Sequence, residues 1–513
     1  MINQASLTRR RLSLSLKSIV LLITCLFLIT SACASTLTWI YVKLKTSRKF
    51  SYAIVFDAGS SHTQMIIYRW PGDKSNGKAG TSLVEEVYTF TEEPGINNVV
   101  GQNRTDVEIN IRQYFRPFVQ KANKIVPLQI RKDTIVMLGA TAGMRILAIK
   151  NLNLSKRILN SIRLFFQCNG YLVSNRDIRI ISGEEEALYA WISINTITSR
   201  IHPRTRKLIP YGALDLGGAS TQIAFATEDL LETNIYPSVK LFGNKYNLAA
   251  HSFLCLGKSE IHTYYDYSLI TKNKKETIIR DPCTVVGDRR VVDLAELSNN
   301  PCHLGINYKQ WKAKILPETK FTIAGTGNAT VCQTIFESIL VRTCKNNICF
   351  LNHTHISSIP ERTHFLGFSA FYYIWNYMGK PKTIEEYKLN LMETCLMRKA
   401  DHEKQAKSKK ELKYLLRLCF DGWYSLALLK AYGIDEDMQN NRLQRLSTIN
   451  NKSVGWAYGY MINQTNMIPE TYPSFTPFYI TTHTLSMCLM WIITLLCLFL
   501  FFLFCFRIRA CEK

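Results

Sequence analysis

One short pattern occurs twice in this chain and restricts what it folds into. A β-branched and aromatic run, Tyr52-Ala53-Ile54-Val55-Phe56, ends in Asp57-Ala58-Gly59-Ser60-Ser61, and a second run from Thr63 to Trp70 leaves that turn and stops at Pro71-Gly72. Gly212-Ala213-Leu214 likewise enters Asp215-Leu216-Gly217-Gly218-Ala219-Ser220, and Thr221 to Ala226 leaves it. Both read as strand–turn–strand. An Asp at the strand end followed by small residues exposes several backbone N–H groups together. Glycine lets the backbone approach a ligand closely, and Ser hydroxyls add donors. Such a turn suits phosphate, and its Asp suits a divalent cation held through water. One Asp-Gly turn is commonplace in β proteins. Two copies, each between strands, predict two related α/β lobes facing one cleft.

The intervening chain alternates in the same α/β manner. Residues 106–124 read as a helix, and Thr134 to Leu138 as a strand running into Gly139-Ala140-Thr141-Ala142-Gly143. A helix follows from Leu152 to Phe166, then a strand from Ile178 to Ile181, then Gly183 and a helix from Glu184 to about Asn195. The cysteine-rich stretch 255–349 reads as an irregular, disulfide-stapled elaboration, and 366–434 returns to helical patterning. Arg398 to Lys413 reads as one charge-rich helical stretch with a solvated face. With 47% hydrophobic and 20% charged residues over 513 positions, the chain has room for two or three packed domains. The formal charge of +24 favours anionic partners. The basic residues are spread along the chain without a zinc-finger, RNP or basic-zipper pattern, which points to small polyanions and away from nucleic acid.

Two segments are long and apolar enough to cross a bilayer: residues 19–42 and 485–506. The apolar core of the first exceeds a signal-peptide h-region of about 7–15 residues, so it reads as a retained anchor. Lys/Arg flank it on both sides. The second is followed by Arg507, Arg509 and Lys513, whereas 460–484 contain no Lys or Arg. The positive-inside rule therefore puts the tails 1–18 and 507–513 in the cytosol and 43–484 outside or in a secretory lumen. Asn-x-Ser/Thr acceptors at Asn103, Asn153, Asn328, Asn352, Asn451 and Asn463 all fall in that loop. So do nine of the 15 cysteines, at 168, 255, 283, 302, 332, 344, 349, 395 and 419, most of which an oxidising compartment would pair.

With these residues in place, the chain resembles the ecto-nucleoside triphosphate diphosphohydrolase (ecto-apyrase) family, marked by five apyrase conserved regions. Ile54 to Thr63 resembles the first, Leu138 to Arg145 the second and Ile181 to Trp191 the third. Ala213 to Gln222 resembles the fourth, and Gly455 to Met461 with Thr465 to Pro469 the fifth. The resemblance implies an α/β, actin-like (ribonuclease H-like) two-lobed ectodomain with a central cleft, flanked by the two transmembrane helices. Lobe I would comprise 50–175 plus 447–478, and lobe II 176–446. The implied activity is hydrolysis of nucleoside tri- and diphosphates to the monophosphate and phosphate, with Ca²⁺ or Mg²⁺ as cofactor. Paired terminal anchors resemble the cell-surface branch, with Golgi residence as the alternative, and leave room for homo-oligomers.

Residue roles follow from the same resemblance. Asp57 and Asp215 would hold the metal through water. Gly59, Ser60, Ser61 and His62, with Gly217, Gly218, Ala219 and Ser220, would cradle the phosphates. Glu186 would be the general base for the attacking water, oriented by Thr141, Ser220 and Gln222; Ala187 stands where the family usually has Gly. A Glu triplet opening a helix also interacts favourably with its dipole, which is the plain reading of Glu184 and Glu185. Tyr373 and Tyr414 would sandwich the base, or else be core tyrosines. Family spacing implies Cys255–Cys302, Cys283–Cys332, Cys344–Cys349 and Cys395–Cys419, leaving Cys168 over.

Three other patterns imitate functional sites. Gly72 to Lys78 is close to a P-loop, but Ala79 replaces the metal-binding Ser/Thr. Cys344, Cys349, His353 and His355 imitate a zinc set, which the compartment and the Asn352 acceptor disfavour. Ile323 to Asn328 is a glycine turn with a structural reading. The rival class is a non-catalytic nucleotide receptor or adhesion glycoprotein on the same fold.

Overall fold

The computed structural model describes residues 19–40, 50–71, 84–99, 106–201, 208–227, 238–310, 312, 319–340, 342–345, 348–351, 354–450, 452–467 and 477–511. The near-P-loop at 72–78, the Asn103, Asn352 and Asn451 acceptors, His353, both chain tails' extremities and the basic flanks of the first span lie outside them. The chain divides into a unit of terminal segments, Met1–Lys49 and Glu470–Lys513 with Pro71–Ser75, and a second unit, Phe50–Trp70 with Asn76–Pro469.

Within the second unit one sheet topology is built twice. The first sheet contains β1 (Phe50–Ala58), β2 (Thr63–Pro71), β3 (Glu85–Glu92), β4 (Ile135–Ala140) and β5 (Ile178–Ile180), in the order β3-β2-β1-β4-β5. β1 runs parallel to β4, and β4 parallel to β5. The second sheet contains β6 (Gly212–Leu216), β7 (Ser220–Ala226), β8 (Ser238–Leu241), β9 (Asn244–Leu254), β10 (Phe365–Ser369) and β11 (Leu443–Arg445). Its order is β11-β10-β6-β7-β9-β8, with β10 parallel to β6 and β11, and β7 antiparallel to β6 and β9. Setting aside the edge strand β8, the order of the second sheet repeats that of the first. This is the ribonuclease H-like, actin-like two-lobed α/β class that the duplicated turns foreshadow.

The central strands carry unbroken apolar runs because both their faces are covered. Along β1, Ile54, Phe56 and Ala58 join a core with α1 (Val107–Ile125) and α3 (Leu152–Cys168), whereas Ala53 and Val55 face another. That second core is shared: it also holds Ala213 and Ala224 of the second sheet and the helices α4 (Gly183–Ile197) and α9 (Trp456–Met467). The two helices thus form an apolar layer common to both sheets, and the start of α4 is carried to the strand ends where the two turns lie.

Of the expected disulfides, Cys255–Cys302, Cys283–Cys332 and Cys395–Cys419 are formed. Cys344 is disulfide-bonded and sits opposite Cys349 in a β ladder. Cys168 is free and exposed. The charge-rich 398–413 stretch is two short helices, Lys399–Gln405 and α7 (Lys409–Leu415), because the Ser408 side chain caps the Glu411 N–H and restarts the helix. Asn153 and Asn328 are exposed, but Asn463 is buried inside α9, where a glycan has no room.

In the terminal unit, Ile19–Ile40 and Thr482–Leu503 are each long and apolar enough to cross a membrane. Trp39 Nε1 donates to Thr484 Oγ1 at 2.9 Å, and Trp491 Nε1 donates to Thr36 Oγ1 at 2.9 Å. Thr494 Oγ1 donates to the Leu28 carbonyl at 3.4 Å, and Cys25 Sγ lies 3.8 Å from the Cys497 carbonyl. The two helices therefore pair antiparallel.

Candidate active site

The two turns occupy equivalent ends of equivalent strands and face each other. A Cβ added to Gly218 would lie 2.6 Å from Ser60 Oγ, so glycine is what admits this approach. Lys258 and Ser259, at the start of α5 (Lys258–Lys272), donate backbone N–H groups to the carbonyls of Gly217 and Gly218 and fix the second turn from behind. Ser61 and His62 are exposed, and Gly59, Ser60, Gly217 and Gly218 are half-buried; Ala219 is buried.

Asp57 is the penultimate residue of β1, and Asp215 lies on β6, beside Phe368 of β10. Burial pushes the Asp57 carboxyl up to about 6, against the opposing Trp456 indole. Burial also pushes Asp215 up to about 7; the Ser369 hydroxyl opposes this and the Asp57 charge adds to it. Asp215 Oδ1 is buried without a hydrogen-bond partner among the described residues. Two enclosed like charges with an orphaned oxygen form a donor set that suits a cation. Among the described residues no three His, Cys, Asp or Glu side chains converge on one point.

The three glutamates opening α4 separate by environment. Glu184 is exposed. Glu185 closes a capping box with Ser182 and pairs with Arg179 at 2.7 Å, so it stabilises the helix start. Glu186 is buried at 7% exposure. Burial, countered by Arg145 and reinforced by Asp215 and Asp57, pushes its carboxyl up to about 8. Gln222 Nε2 donates to Glu186 Oε2 at 3.2 Å and to Ser220 Oγ at 2.6 Å. Thr141, the N-cap of α2 (Ala142–Lys150), is buried, with its N–H and hydroxyl both on the Ala58 carbonyl at 3.1 and 3.3 Å. The fold thus gathers Glu186, Ser220 and Gln222, and ties Thr141 to the first turn.

Four neighbours escape a reading by turn pattern alone. Arg145 and Trp456 lie inside two of the regions that carry the resemblance, and this is the signal that could have singled them out. Ser252 and Ser369 have no sequence signal. Ser369 sits at φ 53°, a strained backbone between β10 and α6 (Ala370–Tyr377), with its side chain on Asp215.

Tyr373 of α6 is 54% exposed and Tyr414 of α7 is 38% exposed, so neither is a core tyrosine. Tyr414 stacks on Tyr377 with centroids 6.4 Å apart, and Lys258 Nζ lies 5.1 Å above the Tyr414 ring. Tyr373 also bears on the Tyr377 phenol, which puts the three rings in one neighbourhood.

Duplicated sheets, facing small-residue turns and a buried acid between them define a two-lobed phosphate-handling protein. The chain belongs to the GDA1/CD39 (nucleoside phosphatase) family, whose profile matches residues 43–477. It is 32% identical over 449 residues to ectonucleoside triphosphate diphosphohydrolase 1 of Mus musculus, covering 83% of each chain. To ectonucleoside triphosphate diphosphohydrolase 8 of Gallus gallus it is 29% identical over 461 residues, 87% of this chain and 89% of that one. The solved structure of nucleoside triphosphate hydrolases from Neospora caninum is alike in fold, with a TM-score of 0.62 at 16% identity. That likeness covers 89% of this chain and 99% of the other.

Proposed function

We propose that this chain hydrolyses extracellular nucleoside tri- and diphosphates to the monophosphate and phosphate, with Glu186 taking the proton of the attacking water. The observation that carries this reading is the convergence of Glu186, Ser220 and Gln222 on one point between the two turns. Backbone and hydroxyl donors of Gly59 to His62 and of Gly217 to Ser220 bind the phosphate oxygens from the two lobes. Asp57 and Asp215 would hold Ca²⁺ or Mg²⁺ through water, and the ion would supply neutralisation of the phosphate charge. Water held by Ser220, Gln222 and Thr141 attacks the terminal phosphorus, the bond to the bridging oxygen breaks, and the proton passes to Glu186. Phosphoryl transfer needs such positioning and charge neutralisation more than a covalent nucleophile. An acid whose proton affinity lies near neutral pH suits a general base. Tyr373 and Tyr414 present aromatic faces to the base, which tolerates base identity.

The apolar ends support membrane anchoring, and Arg507, Arg509 and Lys513 beyond the second support cytosolic tails with the cleft outside. Timed product analysis with ATP and ADP on intact cells tests side, substrate and end product together. Phosphate should appear outside, require Ca²⁺ or Mg²⁺ and stop with EDTA. Glu186→Gln should lower turnover at least about 10²-fold while nucleotide still binds. Tight binding without hydrolysis by the unaltered chain would replace this reading with a receptor.

A further inference from the structure

We propose that Arg145 is the positioning residue of the water-activating group, holding the Glu186 carboxylate and the Ser220 hydroxyl on one guanidinium nitrogen, and that Gly183 supplies the room for it. This rests on the reading of Glu186 as the base. Arg145 Nη2 lies 2.5 Å from Glu186 Oε2 and 3.3 Å from Ser220 Oγ. Gln222 Nε2 reaches the same two oxygens. Two donors therefore pin one oxygen of the acid and both lone pairs of the serine. Two consequences follow for the chemistry. Among the described residues Glu186 Oε1 accepts no hydrogen bond, so it is the oxygen left to take a proton. With its lone pairs engaged, the Ser220 hydroxyl directs its hydrogen outward, toward an incoming oxygen.

The charges around Glu186 single out Arg145. Asp57 on β1 and Asp215 on β6 face it with like charge, and Arg145 on α2 faces it with the opposite one. From β7 and β9 it meets the neutral group of Ser220, Gln222 and Ser252. The helix α9 packs along α4 but turns Tyr460 onto Tyr189 and Tyr458 onto the Val84 carbonyl. Glu185 is engaged by a different arginine, Arg179, so the two adjacent acids do not compete for one cation.

The place for the guanidinium is cut by a glycine. A Cβ at Gly183 would lie 2.1 Å from Ser252 Oγ and 2.5 Å from Arg145 Nη1. Ser252 Oγ in turn accepts from Gln222 Nε2 at 3.2 Å. Any side chain at 183 displaces the arginine, the serine or both. Arg145 Nε is itself buried without a partner among the described residues. A buried orphan donor costs stability, which marks the side chain as placed for its charge rather than for packing.

The test is kcat and KM for Mg²⁺–ATP across pH 6–9.5, in the detergent-solubilised full chain, for Arg145→Met, Arg145→Lys, Gly183→Ala and Glu186→Gln. Loss of the cation beside the acid makes Glu186 harder to ionise, so the acidic limb of kcat should move to higher pH by about 1–3 units in Arg145→Met. At pH 7 kcat should fall about 10²-fold and recover part of this at pH 9, with KM changed less than about threefold. Arg145→Lys should restore the limb, because it restores the charge. Gly183→Ala should move the limb the same way as Arg145→Met. A loss in Arg145→Met carried by KM, with the limb unmoved, overturns the positioning role and makes Arg145 a phosphate contact. Near-normal turnover by Glu186→Gln instead overturns the base assignment, a result separable from the Arg145 profile.

Discussion

Arg290 lies between two buried acids, 2.6 Å from Asp266 and 2.7 Å from Asp281, in the part of the second lobe stapled by Cys283–Cys332. Burial pushes the Asp266 carboxyl up, but His262 and Arg290 outweigh it and hold the group at about 2. Its folded-state pKa is thus below the unfolded value, so the stability it lends is present above about pH 4 and is lost as pH falls toward 2. Arg290→Met leaves both acids without their cation and should cost about 3–5 kcal/mol at neutral pH. The Tm difference from the unaltered chain should be largest near pH 7 and shrink below about pH 3; a constant difference across that range contradicts the account. The same scale shows why the site was only partly legible. Asp57, Asp215, Ser220 and Gln222 sit within a few residues of a turn whose chemistry the sequence displays. Glu186 is set apart from Glu184 and Glu185 in the sequence only by its place before Ala187 in the resemblance, and its burial separates it physically. The partners Ser252 and Ser369 come from strand ends brought in by pairing, which nothing local in the sequence announces.

At the scale of elements, the α4–α9 layer is the most exacting part of the fold. A Cβ at Gly459 would lie 1.8 Å from the Tyr189 carbonyl oxygen and 2.7 Å from the Ser193 nitrogen, both backbone atoms of α4 that cannot rotate away. Gly459→Ala should force the helices apart and destabilise the chain by about 1–3 kcal/mol or more, read as a fall in Tm and in yield. An unchanged Tm would mean that the layer yields more easily than two helix backbones should. Because α9 also carries Trp456 to Asp57, turnover should fall with stability. Strand–turn–strand units were legible because β-branched runs and glycine turns are local signals. The break of 398–413 into two helices was not read, although Ser408 with Glu411 is a capping-box spacing, because the charge run masked it. The acceptor Asn463 looked external by sequence and is buried, since α9 is apolar on both sides between two sheets.

At the scale of the whole molecule, the duplicated sheet was visible in the sequence only through its turns. The parallel strands β4 and β10 complete each copy, but they come from distant segments whose pairing no local pattern fixes. The apolar ends were legible by length alone, while their pairing was not. It depends on a register in which Trp39 meets Thr484 and Trp491 meets Thr36, each indole N–H donating to a hydroxyl on the other helix. One native pair of cysteines reports on that register: Cys25 Sγ lies 3.8 Å from the Cys497 carbonyl. In a chain with Cys33, Cys168, Cys488, Cys505 and Cys511 changed to Ser, a membrane-permeant oxidant should link Cys25 to Cys497 within one molecule. A protease site engineered between residue 168 and Cys255, where no described disulfide crosses, lets this be read on a denaturing gel. After oxidation and cleavage the two fragments should stay joined, and they should separate on reduction or in Cys25→Ser. Trp39→Phe with Trp491→Phe should lower the yield, because the apolar seam remains while both hydrogen bonds are lost. Fragments that separate despite oxidation would refute the pairing, and linkage found only between two chains would assign the seam to neighbouring copies.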